Sequence, residues 1–377
     1  MIIGIPRERK NREYRVGATP ALVRSLSRRG HEVWVEKDAG KGVDISDEMF
    51  EEAGAKIIDT PEKLWDAEMI IKVKEPQKEE FPLMKKGQIL FCFLHLAPTK
   101  KETELLKEKE VVAIAFETMN SPDGRLPILI PMSEIAGRLS VQIGAMYLQK
   151  NYGGKGLLLG GIPGVRRGKV VVVGGGIAGS EAARMAIGLG AEVIILDRSI
   201  KRLQELENRF NGLVSTLYAS ETAVENALKT ADLVVGSVHS RGQATAKVIT
   251  KKMIASMEKG SVFIDIAIDQ GGCAETSRPT SHDQPIYEVD GVIHYCVPNM
   301  PSTVARTATE ALANVTADFA IQLADKGWKK ALQDDNILFN GLNVCLGSVT
   351  NKEVAQAQGD KFVDPALMVF CKESLKT

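Results

Sequence analysis

Residues 169–199, KVVVVGGGIAGSEAARMAIGLGAEVIILDRS, decide how the rest of the chain is read. The run Val170–Val173 is β-branched without polar interruption, the pattern of a strand buried on both faces. Gly174, Gly176 and Gly179 follow it in a G-x-G-x-x-G spacing. The first glycine permits a tight turn, the second lets a pyrophosphate approach the backbone, and the third lets helix and strand pack closely. Ile177 and Ala178 complete that turn and open a helix, whose free N–H groups and positive dipole end suit phosphate. EVIILD then reads as a second strand, ending in Asp197, where a carboxylate can accept a ribose 2′-hydroxyl. Strand, glycines, helix, strand and terminal Asp in register predict a dinucleotide-binding βαβ unit. Arg198 would favour a 2′-phosphate and Asp197 repels one, so the expected cofactor is NAD.

Working outward, ADLVVGSV, GSVFIDIAI and GVIHYCVP supply further strands of this unit. Before it, MIIGIP, HEVWVE, AEMIIKV, GQILFCFLH and VVAIAFE alternate with helical stretches and predict another parallel sheet. NSPDGRLPILIPM reads as a turn or hairpin leading to Ser133 as a helix N-cap. Ile135, Leu139, Ile143 and Met146 then mark a helix from 133 to about 150, ending in the glycine-rich loop NYGGKGLLLGGIPGVRRGK. Val304, Ala308, Ala311, Leu312, Val315 and Phe319 mark a second long helix stopping near Gly327. The last fifty or so residues carry no strong sheet pattern and are expected to pack on the first domain. The fold class is therefore α/β, with two Rossmann-like doubly wound domains. A cofactor domain over 129–304 is inserted into a discontinuous substrate domain over 1–128 and 305–377.

Bulk composition narrows the function. The chain has 377 residues, with Lys+Arg 48 against Asp+Glu 48, so no global field gathers nucleic acid or an anionic membrane. Five cysteines without a C-x-x-C pair argue against a disulfide framework or zinc ribbon and for a reducing compartment. The opening MIIGIP is too short for a signal peptide, and no apolar run reaches the roughly 18–20 residues of a membrane span. A cytoplasmic enzyme acting on small molecules is the expectation.

Such an enzyme must grip a substrate and move a proton while the cofactor moves a hydride. Arg15, in EYRVGATP before a Pro-initiated helix, can hold a carboxylate in a bidentate fork, or be a solvated surface arginine. His95, in ILFCFLHLAP, ends an apolar strand where doubly wound sheets border their ligands, which makes it a candidate acid/base beside the blander reading of a core histidine. Lys72 and Lys74, in IIKVKEP, should share a strand face; an exposed strand end is the plain reading for Lys72. In VFIDIAIDQGG, Asp265 and Asp269 lie at a strand end, where one can cap the next element and one is expected to reach the ligand site. The five histidines show no ligand spacing, so no catalytic metal is expected.

These stretches, together with AFET, PMSEIAGRLS, GGIPGV, SRPTSHD and HYCVPNMPS in this order, resemble the alanine dehydrogenase family nearly end to end. The resemblance implies a homohexamer that interconverts L-alanine and pyruvate plus ammonium with NAD. It implies that hydride leaves Cα, that water attacks the resulting iminium, and that a positioned base moves the protons. By motif, Arg15 and Lys74 would hold the substrate carboxylate and carbonyl, His95 would be the acid/base, and Asp269 would position water or ammonia. Asn299 would border the substrate, and Ser133, Asp197, Arg202, Val238, Ile266, Arg278 and Met300 would line the cofactor with the glycine turn. The chain departs from the family at HSRGQATAK, His239 to Lys247, where an aliphatic-Pro-Gly loop is usual, and at Ala219, Arg198 and STVARTAT. The competing readings are an NAD-binding transhydrogenase-like subunit, a saccharopine-type dehydrogenase and a catalytically silent dinucleotide-binding protein. Joint retention of Arg15, Lys74, His95 and Asp269 argues against the last.

Overall fold

The computed structural model describes residues 1–238 and 245–370. In chain order the strands are β1 (Ile2–Ile5), β2 (Glu32–Glu36), β3 (Ala55–Ile58), β4 (Met69–Ile71), β5 (Ile89–Cys92), β6 (Val112–Ala115), β7 (Lys169–Val173), β8 (Glu192–Asp197), β9 (Ser215–Tyr218), β10 (Leu233–Gly236), β11 (Val262–Asp265), β12 (Ile286–Val289), β13 (Val292–Tyr295), β14 (Leu342–Cys345) and β15 (Ser348–Val349). The described chain divides into two compact units, one of residues 1–132 and 302–377, the other of 133–301.

In the first unit the strands run in the order β15-β14-β6-β5-β4-β1-β2-β3. β1 to β6 are parallel, and β14 joins antiparallel to β6. Strand order therefore reverses between β1 and β4, the switch point at which doubly wound sheets bind ligands beyond the strand carboxyl ends. Both sheet faces are covered: Ile70, Leu90, Cys92 and Ala113 enter one apolar cluster, and alternation sends the buried Ile3, Ile5, Met69, Ile71 and Phe91 to the other side.

The second unit has the order β12-β13-β11-β10-β7-β8-β9, with β12 an antiparallel edge on β13. Its parallel strands keep the same doubly wound order, with the switch point between β7 and β10. The run Val170–Val173 is apolar throughout because Val170 and Val172 pack into one core and Val171 and Val173 into the other. The expected two-sided burial is met.

The predicted strands all form, but β3, β9, β12, β14 and β15 were not read from the sequence. β9 is largely open to solvent, and β14 and β15 are four and two residues long. The tail from 342 thus contributes two strands, not helix and loop alone. Ser133 is not a helix N-cap: the helix runs Leu129–Tyr147 and begins before it. The long helix spans Ala305–Asp334 and breaks its conformation at Gly327, at φ 71° and ψ 158°. A fresh start follows at Asn336–Asn340, where Asp335 accepts the amides of Ile337 and Leu338. Among the described residues no helix is long and apolar enough to cross a membrane.

Candidate active site

Three neighbouring strands of the first unit, β1, β4 and β5, deliver Arg15, Lys74 and His95 from the segments after their carboxyl ends. Arg15 is 2% exposed, and its Nε and Nη2 each donate to the carboxylate of Glu13 at 2.6 Å, while Nη1 lies 3.2 Å from Met132 Sδ. The carboxylate neutralises the guanidinium and fixes its plane.

Lys74 is 7% exposed. Its Nζ stands 5.7 Å from the centre of the Phe93 ring and makes no hydrogen bond or ion pair among the described residues. Burial pushes its pKa below the usual lysine range, and the nearby Arg15 and Lys10 cations push the same way. A buried ammonium left without an acceptor is costly to the fold and available to a ligand oxygen.

His95 is exposed, with its ring parallel to Phe93 at 5.7 Å between centres. Phe93 is thus the common neighbour of Lys74 and His95. The His95 backbone is left-handed, at φ 50°, and its amide donates to Glu117 Oε1 at 2.6 Å. That carboxylate also takes the Leu94 amide, so Glu117 holds the bend that turns the imidazole outward.

Lys72 departs from expectation. It is 0% exposed, not at an open strand end, and Nζ lies 2.9 Å from Glu80 Oε1 and 3.4 Å from Glu8 Oε2. β4 ends at Ile71, so strand alternation no longer binds the two lysines to one setting.

In the second unit the glycine turn leaves β7 for the helix Ile177–Gly188. Gly174 has φ +103°, and a Cβ there would sit 2.7 Å from the Ser237 carbonyl oxygen beyond β10. A Cβ on Gly179 would meet the Gly174 carbonyl oxygen at 1.9 Å. At Gly176, the helix N-cap, a Cβ would meet nothing within 4 Å. Two glycines are demanded by packing, and the third faces open space at a helix N-terminus, a cradle that fits a pyrophosphate.

The Asp197 carboxylate accepts the Gly175 amide through Oδ2 and the Ser199 amide through Oδ1, each at 2.8 Å. Arg202 ties down the same turn by donating to the Gly175 carbonyl oxygen at 2.6 Å. Ile177 is exposed, whereas Ala178, Ser133, Val238 and Ile266 are half-buried. Met300 is buried in the apolar core of this unit. Arg278 is exposed and stacks over Tyr287 at 4.1 Å, whose hydroxyl accepts the Arg278 amide. Residues 239–244, most of the divergent loop, lie outside the described residues.

The two aspartates divide. Asp265 is fully buried and accepts the amides of Ala267 and Cys273 and the Ser277 hydroxyl. Burial raises its pKa against these bonds, and its oxygens are occupied in holding the turn after β11. Asp269 is exposed, and its Oδ2 accepts the Asn299 amide at 3.4 Å. Asn299 is itself left-handed, at φ 56°. Asp269 and Asn299 are therefore brought together, and Asp265 is the cap.

Against known proteins, residues 4–136 match the model "Alanine dehydrogenase/PNT, N-terminal domain" and residues 140–352 match "Alanine dehydrogenase/PNT, C-terminal domain". The chain belongs to the alanine dehydrogenase/PNT family. An alanine dehydrogenase of Halomonas elongata is 51% identical over 370 residues, 98% of this chain and 100% of that protein. One of Mycolicibacterium smegmatis is 48% identical over 367 residues, 97% of this chain and 99% of that protein. A solved L-alanine dehydrogenase superposes with TM-score 0.93 at 48% identity, covering 95% of this chain and 99% of that one. A transhydrogenase from Sinorhizobium meliloti, at TM-score 0.79 and 23% identity over 93% of this chain and 99% of that one, shares the fold. For this family member, sequence reading missed Glu13, Phe93, Glu117 and Glu8. Each supports a site residue rather than presenting itself to solvent. A carboxylate two positions before Arg15 was the one visible signal.

Proposed function

We propose that this protein is an NAD-dependent L-alanine dehydrogenase, which interconverts L-alanine and pyruvate plus ammonium. The observation that carries this reading is the buried Lys74 ammonium, without a hydrogen-bond or ion-pair partner among the described residues and close to Arg15, beside Phe93 and His95. Near half identity to alanine dehydrogenases over almost the whole chain supports it. A cation pair of this kind suits a 2-keto acid or 2-amino acid: Arg15 holds the carboxylate and Lys74 donates to the neighbouring oxygen. Glu13 takes one edge of the Arg15 guanidinium and so sets the direction of the other.

When bound, NAD supplies the hydride acceptor, and the residues to hold it are Gly174, Gly176, Gly179, Asp197 and Arg202, with Ser133, Ile177, Ala178, Val238, Ile266, Arg278 and Met300 as the further lining. His95 moves the protons of imine hydrolysis from a ring held over Phe93. Asp269 positions the water or ammonia, and Asn299 stands beside it. Asp197 favours NAD over NADP. We further propose a cytoplasmic homohexamer, on resemblance to the family.

An NADH oxidation assay with pyruvate and ammonium, run beside NADPH, glyoxylate and α-ketoglutarate, tests the reading. Pyruvate with NADH should give the highest kcat/KM; a well-folded protein that turns over none of these keto acids overturns it. His95→Ala should lose turnover by about 10²-fold or more and still bind NADH in a fluorescence titration.

A further inference from the structure

The Lys72 cluster has no place in the substrate contacts, yet three charged side chains are buried together there. Glu8, after β1, lies against the segment after β4. Its Oε1 accepts the Val73 amide at 2.7 Å and its Oε2 the Lys74 amide at 3.3 Å. Glu80, eight residues beyond Lys72, accepts the Gln77 amide at 2.7 Å through Oε2 and pairs with Lys72 through Oε1 at 2.9 Å. Lys72 bridges the two carboxylates, which are 9% and 2% exposed. Burying charge is costly unless each charge is paired and hydrogen-bonded, and here every carboxylate oxygen has a donor.

We propose that Glu8, Lys72 and Glu80 form an internal clamp that positions Lys74 for the keto acid. Glu8 is the positioning residue, and Lys72 is the counter-cation that allows both carboxylates to stay buried beside the segment. The clamp grips backbone rather than the Lys74 side chain, so the ammonium keeps no acceptor among the described residues while the main chain beneath it is held by Glu8. Proteins retain such networks where placement within about 0.5 Å matters more than stability. The same bonds rule out Lys72 as a substrate ligand, since its ammonium is enclosed by its own partners. This inference rests on the proposed activity for its substrate but not for the clamp itself.

Glu8→Gln, a near-isosteric change that exchanges one acceptor oxygen for a donor, is the variant of choice. Peptide-level hydrogen exchange should accelerate across residues 72–77 and stay unchanged in the second unit. Pyruvate affinity in the presence of NADH, read by NADH fluorescence, should weaken by about tenfold, with the NADH Kd within about twofold of wild type. In a Lys74→Met background the Glu8→Gln change should add less than about twofold to pyruvate Kd, because a residue acting through Lys74 is coupled to it. A tenfold effect persisting in that background, or unchanged exchange over 72–77, overturns the clamp. Glu80→Gln, which keeps Glu8 in place, provides a second variant with the same expected exchange signature at Gln77. The hydrogen-exchange arm reads the clamp whatever the substrate, whereas failure of wild-type turnover with pyruvate counts against the proposed activity alone.

Discussion

Lys72 and Lys74 are both buried ammonium groups, and their surroundings give them opposite energetics. Burial opposes the charge of Lys72, but the Glu8 and Glu80 carboxylates outweigh it and hold its pKa above the ordinary lysine value. Lys72→Met leaves two carboxylates buried without their cation, at a cost of about 3–5 kcal/mol, to be seen as a large drop in Tm. Lys74→Met removes a buried ammonium with no hydrogen-bond or ion-pair partner among the described residues, whose burial beside Arg15 and Lys10 outweighs the attraction of Glu75 and Glu13; at neutral pH its Tm should equal or exceed that of wild type while keto-acid turnover falls at least about tenfold. The pH dependence has a definite sign. A lysine whose folded pKa lies below the unfolded 10.5 binds fewer protons in the folded state, so stability rises with pH through that window. The Tm advantage of Lys74→Met over wild type should therefore shrink as pH climbs toward 10.5. A constant gap across that range would show that the Lys74 charge is not what costs stability. Both lysines were visible in the sequence as polar interruptions of an apolar run. Their partners were not, because Glu8 reaches them across two strands that are neighbours only in the folded sheet.

At the scale of elements, the turn from β7 into its helix separates packing from binding. Gly179→Ala drives a methyl group into the Gly174 carbonyl and should cost about 1–3 kcal/mol or more as well as cofactor binding. Gly176→Ala places its methyl in open space at a residue with φ −63°, so the fold should be kept and only NADH affinity should fall. Thermal melts alongside NADH titrations distinguish the two; equal destabilisation would contradict the assignment. Asp265→Asn loses one of the two acceptor oxygens that serve Ala267, Cys273 and Ser277, with an expected loss of about 1–3 kcal/mol by denaturant titration. The glycine turn was legible because its spacing is local and each glycine answers a local geometric demand. The strands β3, β9 and β14 were not, since four-residue strands with a polar residue among them differ little from loops until a neighbour pairs with them. Ser133 misled for a related reason: a serine one turn inside a helix has the same local sequence as one that caps it.

For the whole molecule, chain order and spatial order part company. The first unit needs residues 302–377, which supply β14 against β6 and a Thr309 hydroxyl that accepts the Val16 amide at 3.3 Å. A fragment of residues 1–132 should therefore expose the edge of β6 and aggregate. Residues 133–301 hold their whole sheet and both of its apolar clusters, so that fragment should fold alone and bind NADH. Circular dichroism and NADH fluorescence on the two fragments check this.

The amino-acid sequence by itself determined two α/β sheets, a dinucleotide cradle and a short roster of charged and aromatic candidates, because hydrophobic period and glycine spacing are properties of adjacent residues. Tertiary structure alone decided that Arg15 is paired with Glu13, that Lys72 is enclosed while Lys74 has no acceptor among the described residues, and that Asp265 caps while Asp269 stays open. Those outcomes depend on which strand ends lie side by side and on how burial weighs each charge against partners far away in the chain.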